Sequence, residues 1–223
     1  MQPRAYTPTH DSLSGLVLSP TRPEALVLFL HGYGANGADL MGIGQALAPH
    51  LPSVGFIAPD APGQLPFGYN ARAWFDLDAD LRAEDLDKGA QGVRPLVARY
   101  ISAVLHDFDL PTSKLMLVGF SQGGMMALEV APRLEHDLGH VISLSGRLVG
   151  ADRLANELTA RPPIFLGHGT ADQVVPFSSL EFSSQALRGA GLSVETAAYD
   201  GIGHGIPPQA IETIRDLALA LTG

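Results

Sequence analysis

Short apolar segments alternate along the chain with longer, helix-like segments. The short segments are rich in aliphatic and β-branched residues, and most of them lack the strict alternation of a strand with one face in water. This pattern is typical of strands that are buried on both faces. We therefore predict buried parallel strands over residues 25–30, 55–58, 115–118, 140–144, 164–166 and 194–199.

Helical segments lie between these strands. We predict helices over residues 39–48, 85–107, 122–131, 178–189 and 208–221, and a loop over the Pro- and Gly-rich residues 58–68. Strands that alternate with helices of this length form a mostly parallel sheet with right-handed crossovers and helices on both faces. The pattern thus predicts an α/β protein whose functional groups lie in loops after the carboxyl ends of strands.

The composition is that of one globular domain. Hydrophobic residues make up 46% and charged residues 17% of the 223 residues, a length that α/β folds occupy as a single unit. No internal repeat of 20 to 50 residues occurs. We expect a single domain over residues 1–223.

Charge and residue usage remove several classes of function. The chain has 23 Asp and Glu against 14 Lys and Arg, a net charge of -9, and no basic cluster, which argues against nucleic-acid binding. The absence of cysteine excludes disulfides, thiolate metal sites and cysteine nucleophiles. No apolar run reaches the ~18 residues of a membrane span, and residues 1–20 lack the features of a secretory signal. We expect a soluble, cytoplasmic protein without stable membrane insertion.

The pattern Gly-x-Ser-x-Gly marks a candidate nucleophile. The predicted strand 115–118 passes through Gly119, Ser121 and Gly123 directly into a predicted helix. This context indicates a nucleophile elbow, a strained turn that lifts the serine hydroxyl clear of the sheet, with glycines leaving room for it. The following helix directs its N-terminus at Ser121, where it favours a developing anion. The alternative is an unreactive turn serine between glycines.

A reactive serine needs a base, and the base needs an acid that orients it. In hydrolases with this elbow the order along the chain is serine, acid, histidine. Asp172 follows the predicted strand 164–166, and His204 is the one histidine after it. Asp200 is a rival acid because it lies nearer to His204 in sequence, and a solvent-exposed loop histidine is the alternative for His204. His168 precedes the acid, so we expect it to stabilise the turn through hydrogen bonds.

Acyl transfer also needs hydrogen-bond donors for the tetrahedral oxyanion. The backbone N–H of Gln122, directly after the nucleophile, is one candidate. The Gly-rich loop over residues 30–37 can turn backbone amides inward, and we assign the second donor to the Tyr33 N–H. A phosphate site in this loop is disfavoured because neither the P-loop nor the dinucleotide-binding pattern is present.

Several further motifs accompany these residues along nearly the whole chain. They are Phe29 to Gly34, Pro59 to Pro62, Ala73 to Asp76, Gly119 to Gly124, Leu144 to Gly146, His168 to Asp172 with Val175 and Pro176, and Gly203 with His204. In these motifs the chain resembles the phospholipase/carboxylesterase family of α/β-hydrolases, which includes bacterial carboxylesterases and acyl-protein thioesterases.

The resemblance implies an α/β-hydrolase fold without a large cap domain, and a triad of Ser121, Asp172 and His204 with no metal or organic cofactor. It implies that the Trp74 and Phe75 loop flanks the site and contacts substrate, although the residues alone suit core aromatics equally well. Leu65, Phe67 and Tyr69 form another apolar loop that we expect to narrow the mouth of the site.

The function expected from this combination is that of a serine carboxylesterase acting on short- to medium-chain carboxylic esters, with a small ester or thioester as substrate. Lysophospholipase or acyl-protein thioesterase activity is the alternative. Tyr33 stands where thioesterases of the family usually have leucine, and acidic residues follow Asp76, which weighs against a protein thioesterase. A non-catalytic ligand-binding protein on the same fold is a remote alternative. An exposed apolar patch near the site could serve a homodimer.

Overall fold

A central sheet organises the molecule in a computed structural model that describes residues 1–9, 11–68, 70–77 and 82–222. Within the described residues the sheet has eight strands in the order β1-β2-β4-β3-β7-β8-β9-β10, and β5 and β6 form a separate hairpin. The strands are β1 (Arg4–Tyr6), β2 (Gly15–Leu18), β3 (Ala25–Leu30), β4 (Val54–Pro59), β5 (Gly63–Gln64), β6 (Arg72–Ala73), β7 (Leu115–Phe120), β8 (His140–Leu144), β9 (Ile164–Gly169) and β10 (Val194–Tyr199).

The sheet is parallel from β4 to β10, whereas β1 and β2 are antiparallel to their neighbours. Strand β3 lies between β4 and β7, so the strand order reverses next to it. In open α/β sheets, the loops at such a reversal diverge and leave a crevice at the carboxyl ends of the strands. The register pairs Leu30 with Gly119 and Phe120 with Leu144, which brings the ends of β3, β7 and β8 together.

Helices cover both faces of this sheet. They are α1 (Gly37–Leu47), α2 (Ala83–Phe108), α3 (Gln122–Val130), α4 (Ala151–Glu157), α5 (Ser178–Gly189) and α6 (Pro208–Ala220). Residues of β3 alternate between the two layers: Leu28 belongs to the core cluster that includes residues of α2 to α5, and Phe29 belongs to the cluster that includes residues of α1 and α6. All six residues of β3 are buried, which explains why its sequence is apolar without alternation.

The predicted elements are confirmed in kind and order. The six predicted strands correspond to β3, β4, β7, β8, β9 and β10, and the five predicted helices to α1, α2, α3, α5 and α6. Strand β10 was predicted to be buried, but it lies at the edge of the sheet and pairs only with β9. Three of its residues are therefore exposed: Glu195, Thr196 and Ala198.

The architecture confirms the predicted α/β class with a mostly parallel sheet and helices on both faces. The part of the chain described here forms no separate cap domain, since the elements outside the three layers reduce to the β5–β6 hairpin and short loops. None of the helices in the described ranges is long and apolar enough to cross a membrane.

Candidate active site

Ser121 lies at the turn between β7 and α3. Its φ of 53° and ψ of -118° fall outside the regions that residues with a side chain usually adopt. Such a conformation costs about 1–3 kcal/mol and persists only where surrounding contacts impose it. The Ser121 N–H donates to the Leu144 carbonyl at 2.9 Å, and the Ser121 carbonyl accepts from the Met125 N–H at 3.0 Å. These bonds fix the turn between β8 and the first turn of α3.

The flanking glycines allow this turn to pack closely. A Cβ atom at Gly119 would lie 2.1 Å from the Gly123 carbonyl oxygen, and one at Gly123 would lie 1.9 Å from the Leu30 carbonyl oxygen. Both contacts involve backbone that cannot move aside. The Gly-x-Ser-x-Gly spacing is therefore a steric requirement of this strand-to-helix turn.

Ser121, His204 and Asp172 form a triad-like arrangement. His204 Nε2 lies 3.0 Å from Ser121 Oγ, and His204 Nδ1 lies 2.8 Å from Asp172 Oδ2. Asp172 follows β9 and His204 follows β10, so adjacent parallel strands deliver the two side chains to the same edge as the end of β7. The Phe120 ring packs against the imidazole of His204 with ring centroids 4.9 Å apart. The geometry can pass a proton from the hydroxyl to the imidazole.

Backbone amides hold the Asp172 carboxylate in its charged form. Asp172 Oδ1 accepts from the Val174 and Val175 N–H groups, each at 2.9 Å. Burial opposes the charge, but the hydrogen bonds from His204 and from these two amides outweigh it and bring the pKa of Asp172 below its usual value. A carboxylate that stays ionised stabilises the imidazolium that forms when His204 takes a proton.

The rival acid, Asp200, contacts a different partner. Its side chain is exposed and accepts from Thr170 Oγ1 at 3.3 Å. The loops after β9 and β10 are joined by a bond from the Ala171 N–H to the Ile202 carbonyl at 2.9 Å. This bond positions Asp172, and not Asp200, beside the imidazole of His204.

His168 stabilises the turn that carries Asp172. Its Nε2 lies 2.9 Å from the Val175 carbonyl oxygen and 3.3 Å from Asp172 Oδ2. Since the carbonyl can only accept, His168 Nε2 carries the proton. The hydrogen bonding expected of His168 from the sequence is therefore present, within a side chain that is 1% exposed.

His31 stabilises the loop after β3 in a similar way. The Ala61 N–H donates to His31 Nε2 at 3.0 Å, so Nδ1 carries the proton and donates to the Gly32 carbonyl at 2.8 Å. Burial lowers the pKa of His31, which favours the neutral imidazole that this pattern requires. The loop that presents Tyr33 is thus tied to the segment after β4.

The predicted oxyanion donors are the backbone N–H groups of Tyr33 and Gln122. Gln122 is the first residue of α3, and both residues line the same cavity as Ser121 and His204. Among the described residues, neither the Tyr33 N–H nor the Gln122 N–H donates a hydrogen bond. The Gly34 N–H, by contrast, is occupied by the Arg72 carbonyl at 2.8 Å.

The cavity at Ser121 has a volume of about 440 Å³. Most of the side chains that line it are apolar, namely Leu77, Leu86, Met125, Val174, Val175 and Pro176, and Arg147 lines it as well. The sequence analysis predicted none of these seven residues to line the site. Two of these had a sequence signal. Met125 stands one helical turn after Ser121, and Arg147 follows the carboxyl end of β8, where the strand-end rule places functional groups.

Trp74 and Phe75 are not among the residues that line this cavity, so direct substrate contact by either one stays a prediction. They are 1% and 7% exposed and pack in the core beneath the site. The indole Nε1 of Trp74 donates to the His31 carbonyl at 2.9 Å. The Trp74 N–H donates to Gln122 Oε1 at 2.9 Å, and Gln122 Nε2 donates to the Phe75 carbonyl at 2.7 Å. These hydrogen bonds hold Trp74 and Phe75 in the core, where they pack against the segments that carry His31 and Gln122.

The apolar loop predicted at the mouth lies beside Tyr33. Phe67 is 54% exposed, and its ring centroid lies 6.3 Å from that of Tyr33. Leu65 is half-buried and its N–H donates to the Ala71 carbonyl at 2.9 Å. Neither lines the cavity, so substrate contact by either side chain is left as a proposal. Tyr69 lies outside the described residues.

Among the described residues, no group of three or more His, Asp or Glu side chains is arranged to hold a metal ion. The site instead assembles a hydroxyl, an imidazole, a carboxylate and backbone donors around an apolar cavity. These are the components of hydrolysis through a covalent acyl intermediate.

Comparison with known proteins agrees with this chemistry. The family model described as phospholipase/carboxylesterase matches residues 15–219 of the chain. Acyl-protein thioesterase 1 of Yarrowia lipolytica is 32% identical over 194 residues, which is 81% of this chain and 84% of that protein.

Solved structures support the same grouping. The crystal structure of esterase PE8 superposes with a TM-score of 0.89 at 32% identity, covering 94% of this chain and 99% of the esterase. Acyl-protein thioesterase 2 of Zea mays superposes with a TM-score of 0.71 at 28% identity, covering 99% of both chains. The predicted α/β-hydrolase fold is thus confirmed.

Proposed function

Because this chain belongs to the phospholipase/carboxylesterase family, whose members hydrolyse carboxylic esters, we propose that it is a serine carboxylesterase that forms an acyl-enzyme on Ser121. The observation that carries this proposal is the continuous contact from Ser121 Oγ through His204 to Asp172, with distances of 3.0 and 2.8 Å, at the wall of an apolar cavity. No metal or organic cofactor takes part in the proposed reaction.

In the first half of the reaction, His204 Nε2 removes the proton of Ser121 as Oγ attacks the ester carbonyl. Asp172 holds the imidazole with Nδ1–H toward the carboxylate and stabilises the resulting imidazolium. The Tyr33 and Gln122 N–H groups receive the oxyanion of the tetrahedral intermediate, and the loss of one such donor typically costs ~10²–10³ in kcat. The C–O bond to the alcohol then breaks, and His204 Nε2 gives its proton to the leaving alcohol.

In the second half, water replaces the alcohol. His204 accepts a proton from the water as its oxygen attacks the acyl carbonyl of Ser121. Collapse of this second tetrahedral intermediate releases the carboxylic acid and returns the proton to Ser121 Oγ. The three side chains and two backbone N–H groups act in both halves, so no further side chain is needed.

The cavity supports short- to medium-chain esters as substrates. Its volume of about 440 Å³ lies toward the lower end of the range of roughly 300–1,000 Å³ typical of small-molecule sites. Its apolar wall, which includes Leu86, Met125 and Val175, suits an alkyl or acyl chain. Phe67 and Tyr33 stand at one side of the mouth and are proposed to contact the outer part of the substrate.

Thioester hydrolysis is the second candidate, because two of the similar proteins above are named as acyl-protein thioesterases. The same triad chemistry would serve, with a thiol leaving in place of an alcohol. A lysophospholipid would require a longer apolar groove than the cavity at Ser121. Chain-length preference and leaving-group preference therefore separate the three substrates.

The test begins with labelling of the nucleophile. The protein is incubated with a fluorophosphonate probe and its intact mass is measured for wild type, Ser121→Ala and the control Ser102→Ala, whose serine is exposed on α2. We expect one adduct on wild type and on Ser102→Ala, and none on Ser121→Ala. An adduct on Ser121→Ala, or none on wild type, would contradict the proposal, and the second result would favour a non-catalytic binding protein.

Wild-type enzyme that has not been exposed to the probe is then profiled with p-nitrophenyl esters from acetate to palmitate and with an S-acylated peptide. We expect an optimum at short to medium chains. An optimum at palmitate would favour a lysophospholipase, and faster turnover of the S-acylated peptide would favour a protein thioesterase.

We further propose that residues 1–223 act as one hydrolase domain located in the cytoplasm. Homodimer formation is a prediction from the sequence. Measuring mass in solution by light scattering tests it.

A further inference from the structure

Arg147 is the one cationic Lys or Arg side chain among the described residues that line the cavity at Ser121. No Asp or Glu of the described residues lines this cavity. Arg147 thus places a positive charge in the same cavity as the candidate nucleophile, in a chain of net charge -9. The next question is whether an acidic side chain of the protein pairs with Arg147.

Arg147 has no anionic partner within the described ranges. It makes no ion pair and donates no hydrogen bond there, and its recorded contact is the face of Phe182, with the guanidinium carbon 5.6 Å from the ring centroid. Arg153, further along the chain on α4, instead pairs with Asp87, Glu129 and Glu157. Within the part of the chain that the structure describes, the five N–H donors of Arg147 have no protein acceptor.

The backbone on both sides of Arg147 is fixed. Ser145 has a φ of 48°, and its N–H donates to the Gly167 carbonyl at 2.8 Å. The Leu148 N–H donates to Ser183 Oγ at 2.9 Å. A Cβ atom at Gly146 would lie 2.3 Å from Ser143 Oγ, so this segment packs tightly against β8. Backbone strain of this kind is typical of functional positions, and here it adjoins an arginine that lines the cavity at Ser121 and has no anionic partner among the described residues.

Arg147 also connects the catalytic cavity with a second hollow. This hollow has a volume of about 390 Å³ and shares Leu86 and Arg147 with the cavity at Ser121. Its acidic lining residues are Glu84, Asp87 and Asp152, of which Asp87 is bound by Arg153. None of the three forms an ion pair with Arg147, whose guanidinium lies over Phe182 of the second hollow while the residue also lines the cavity at Ser121.

We infer that Arg147 binds an anionic group of the substrate, so that the preferred substrate is an ester that carries a second, ionised carboxylate or phosphate. This inference rests on the proposed esterase function. The planar guanidinium matches the two oxygens of such a group, and the apolar lining strengthens the contact by excluding water. The site thereby distinguishes charged esters from neutral ones of the same length.

The experiment compares matched chromogenic esters. On the acyl side, p-nitrophenyl hemiesters of succinate, glutarate and adipate are paired with neutral p-nitrophenyl alkanoates of equal chain length. On the alcohol side, 4-butanoyloxy-3-nitrobenzoate is paired with its methyl ester. The value of kcat/KM is measured for wild type, Arg147→Gln and the control Arg99→Gln, which removes the same charge from an exposed position on α2.

We expect Arg147→Gln to lower kcat/KM for at least one anionic ester about 10- to 100-fold, the range for a lost hydrogen bond to a charged group. The neutral partner should change less than about threefold, as should every ester with Arg99→Gln. The arm that responds identifies whether the anion belongs to the acid or the alcohol. For wild type, the ratio of anionic to neutral turnover should fall as salt is raised from about 10 mM to 0.5 M.

Equal effects of Arg147→Gln on both members of every pair would overturn the inference while leaving the esterase function intact. The salt series on wild type tests the inference independently if the variant does not fold, because a constant ratio also overturns it. Turnover of the neutral esters reports the esterase function separately. No turnover of any ester by wild type would overturn both.

Discussion

The side-chain amide of Gln122 is hydrogen-bonded to the backbone of Trp74. Gln122 Oε1 accepts from the Trp74 N–H at 2.9 Å, and its Nε2 donates to the carbonyl of Phe75 at 2.7 Å. Gln122 also offers the N–H that directly follows Ser121. One residue thus ties the loop before α2 to the start of α3, so the aromatic pair can affect the candidate oxyanion donor without touching substrate.

The first prediction concerns this link. Gln122→Ala keeps the backbone N–H but leaves a buried N–H of Trp74 and a buried carbonyl of Phe75 unpaired, each at a cost of about 1–3 kcal/mol. We expect a lower free energy of unfolding in urea and a lower kcat for p-nitrophenyl butyrate. Gln185→Ala, which removes an exposed amide bound to Glu181 on α5, should change neither. If Gln122→Ala has the same free energy of unfolding as wild type, the two hydrogen bonds contribute nothing to stability.

The second prediction separates the two acids near His204. Asp172→Asn replaces a carboxylate that accepts from the imidazole by an amide, which no longer holds the required tautomer or stabilises the imidazolium. Such a change typically lowers kcat by about 10⁴-fold. Asp200→Asn removes the same charge but affects only an exposed side chain that accepts from Thr170 Oγ1, and should retain activity within about twofold. Comparable losses in both variants, measured as kcat at pH 8, would refute the assignment of Asp172.

Much of the candidate site could be predicted from the sequence because its residues directly follow strands. Ser121, Asp172 and His204 each follow an apolar strand segment, and parallel strands bring the loops at their carboxyl ends to one edge of the sheet. Local sequence patterns were enough to predict the order of the strands and helices, because β3 and β7 are apolar throughout and the helices are long.

The parts that escaped prediction depend on contacts between distant segments. Trp74 is apolar whether it faces the core or a cavity, and only its bonds to His31 and Gln122 decide for the core. Arg147 follows a strand end, but its place in the cavity at Ser121 depends on the pairing of β7 with β8, which local patterns do not show. Strands β1 and β2 were not predicted, since they lie before the alternating strands and helices and join the sheet by antiparallel pairing.

The third prediction tests the steric basis of the elbow. Gly123→Ala places a methyl group 1.9 Å from the Leu30 carbonyl oxygen, so α3 must shift away from β3. We expect destabilisation of about 1–3 kcal/mol or more and loss of fluorophosphonate labelling. Gly42→Ala in α1 meets nothing within 4 Å, and should instead raise the free energy of unfolding by about 0.5–1 kcal/mol. Full labelling of Gly123→Ala would show that the turn tolerates a side chain.

The last prediction concerns the charged cluster that joins α2, α3 and α4. Burial raises the pKa of Glu157, but hydrogen bonds from Arg133, Arg153 and Arg94 outweigh this and lower it from 4.5 to about 2. A group whose pKa is lower in the folded state stabilises the fold above its unfolded pKa. This contribution is complete above pH 4.5 and is lost as the pH falls toward about 2.

Glu157→Gln removes this pH-dependent contribution. About a third of the Glu157 side chain is exposed, at 32%, so water screens the interaction and we expect a loss of only about 1–2 kcal/mol at pH 7. Urea unfolding of both proteins between pH 7 and pH 3 measures the difference, which should be constant down to about pH 5 and then shrink. Glu24→Gln, at an exposed position, should follow wild type throughout. A difference that grows on acidification would reverse the sign of the linkage and rule out Glu157 as a source of acid sensitivity.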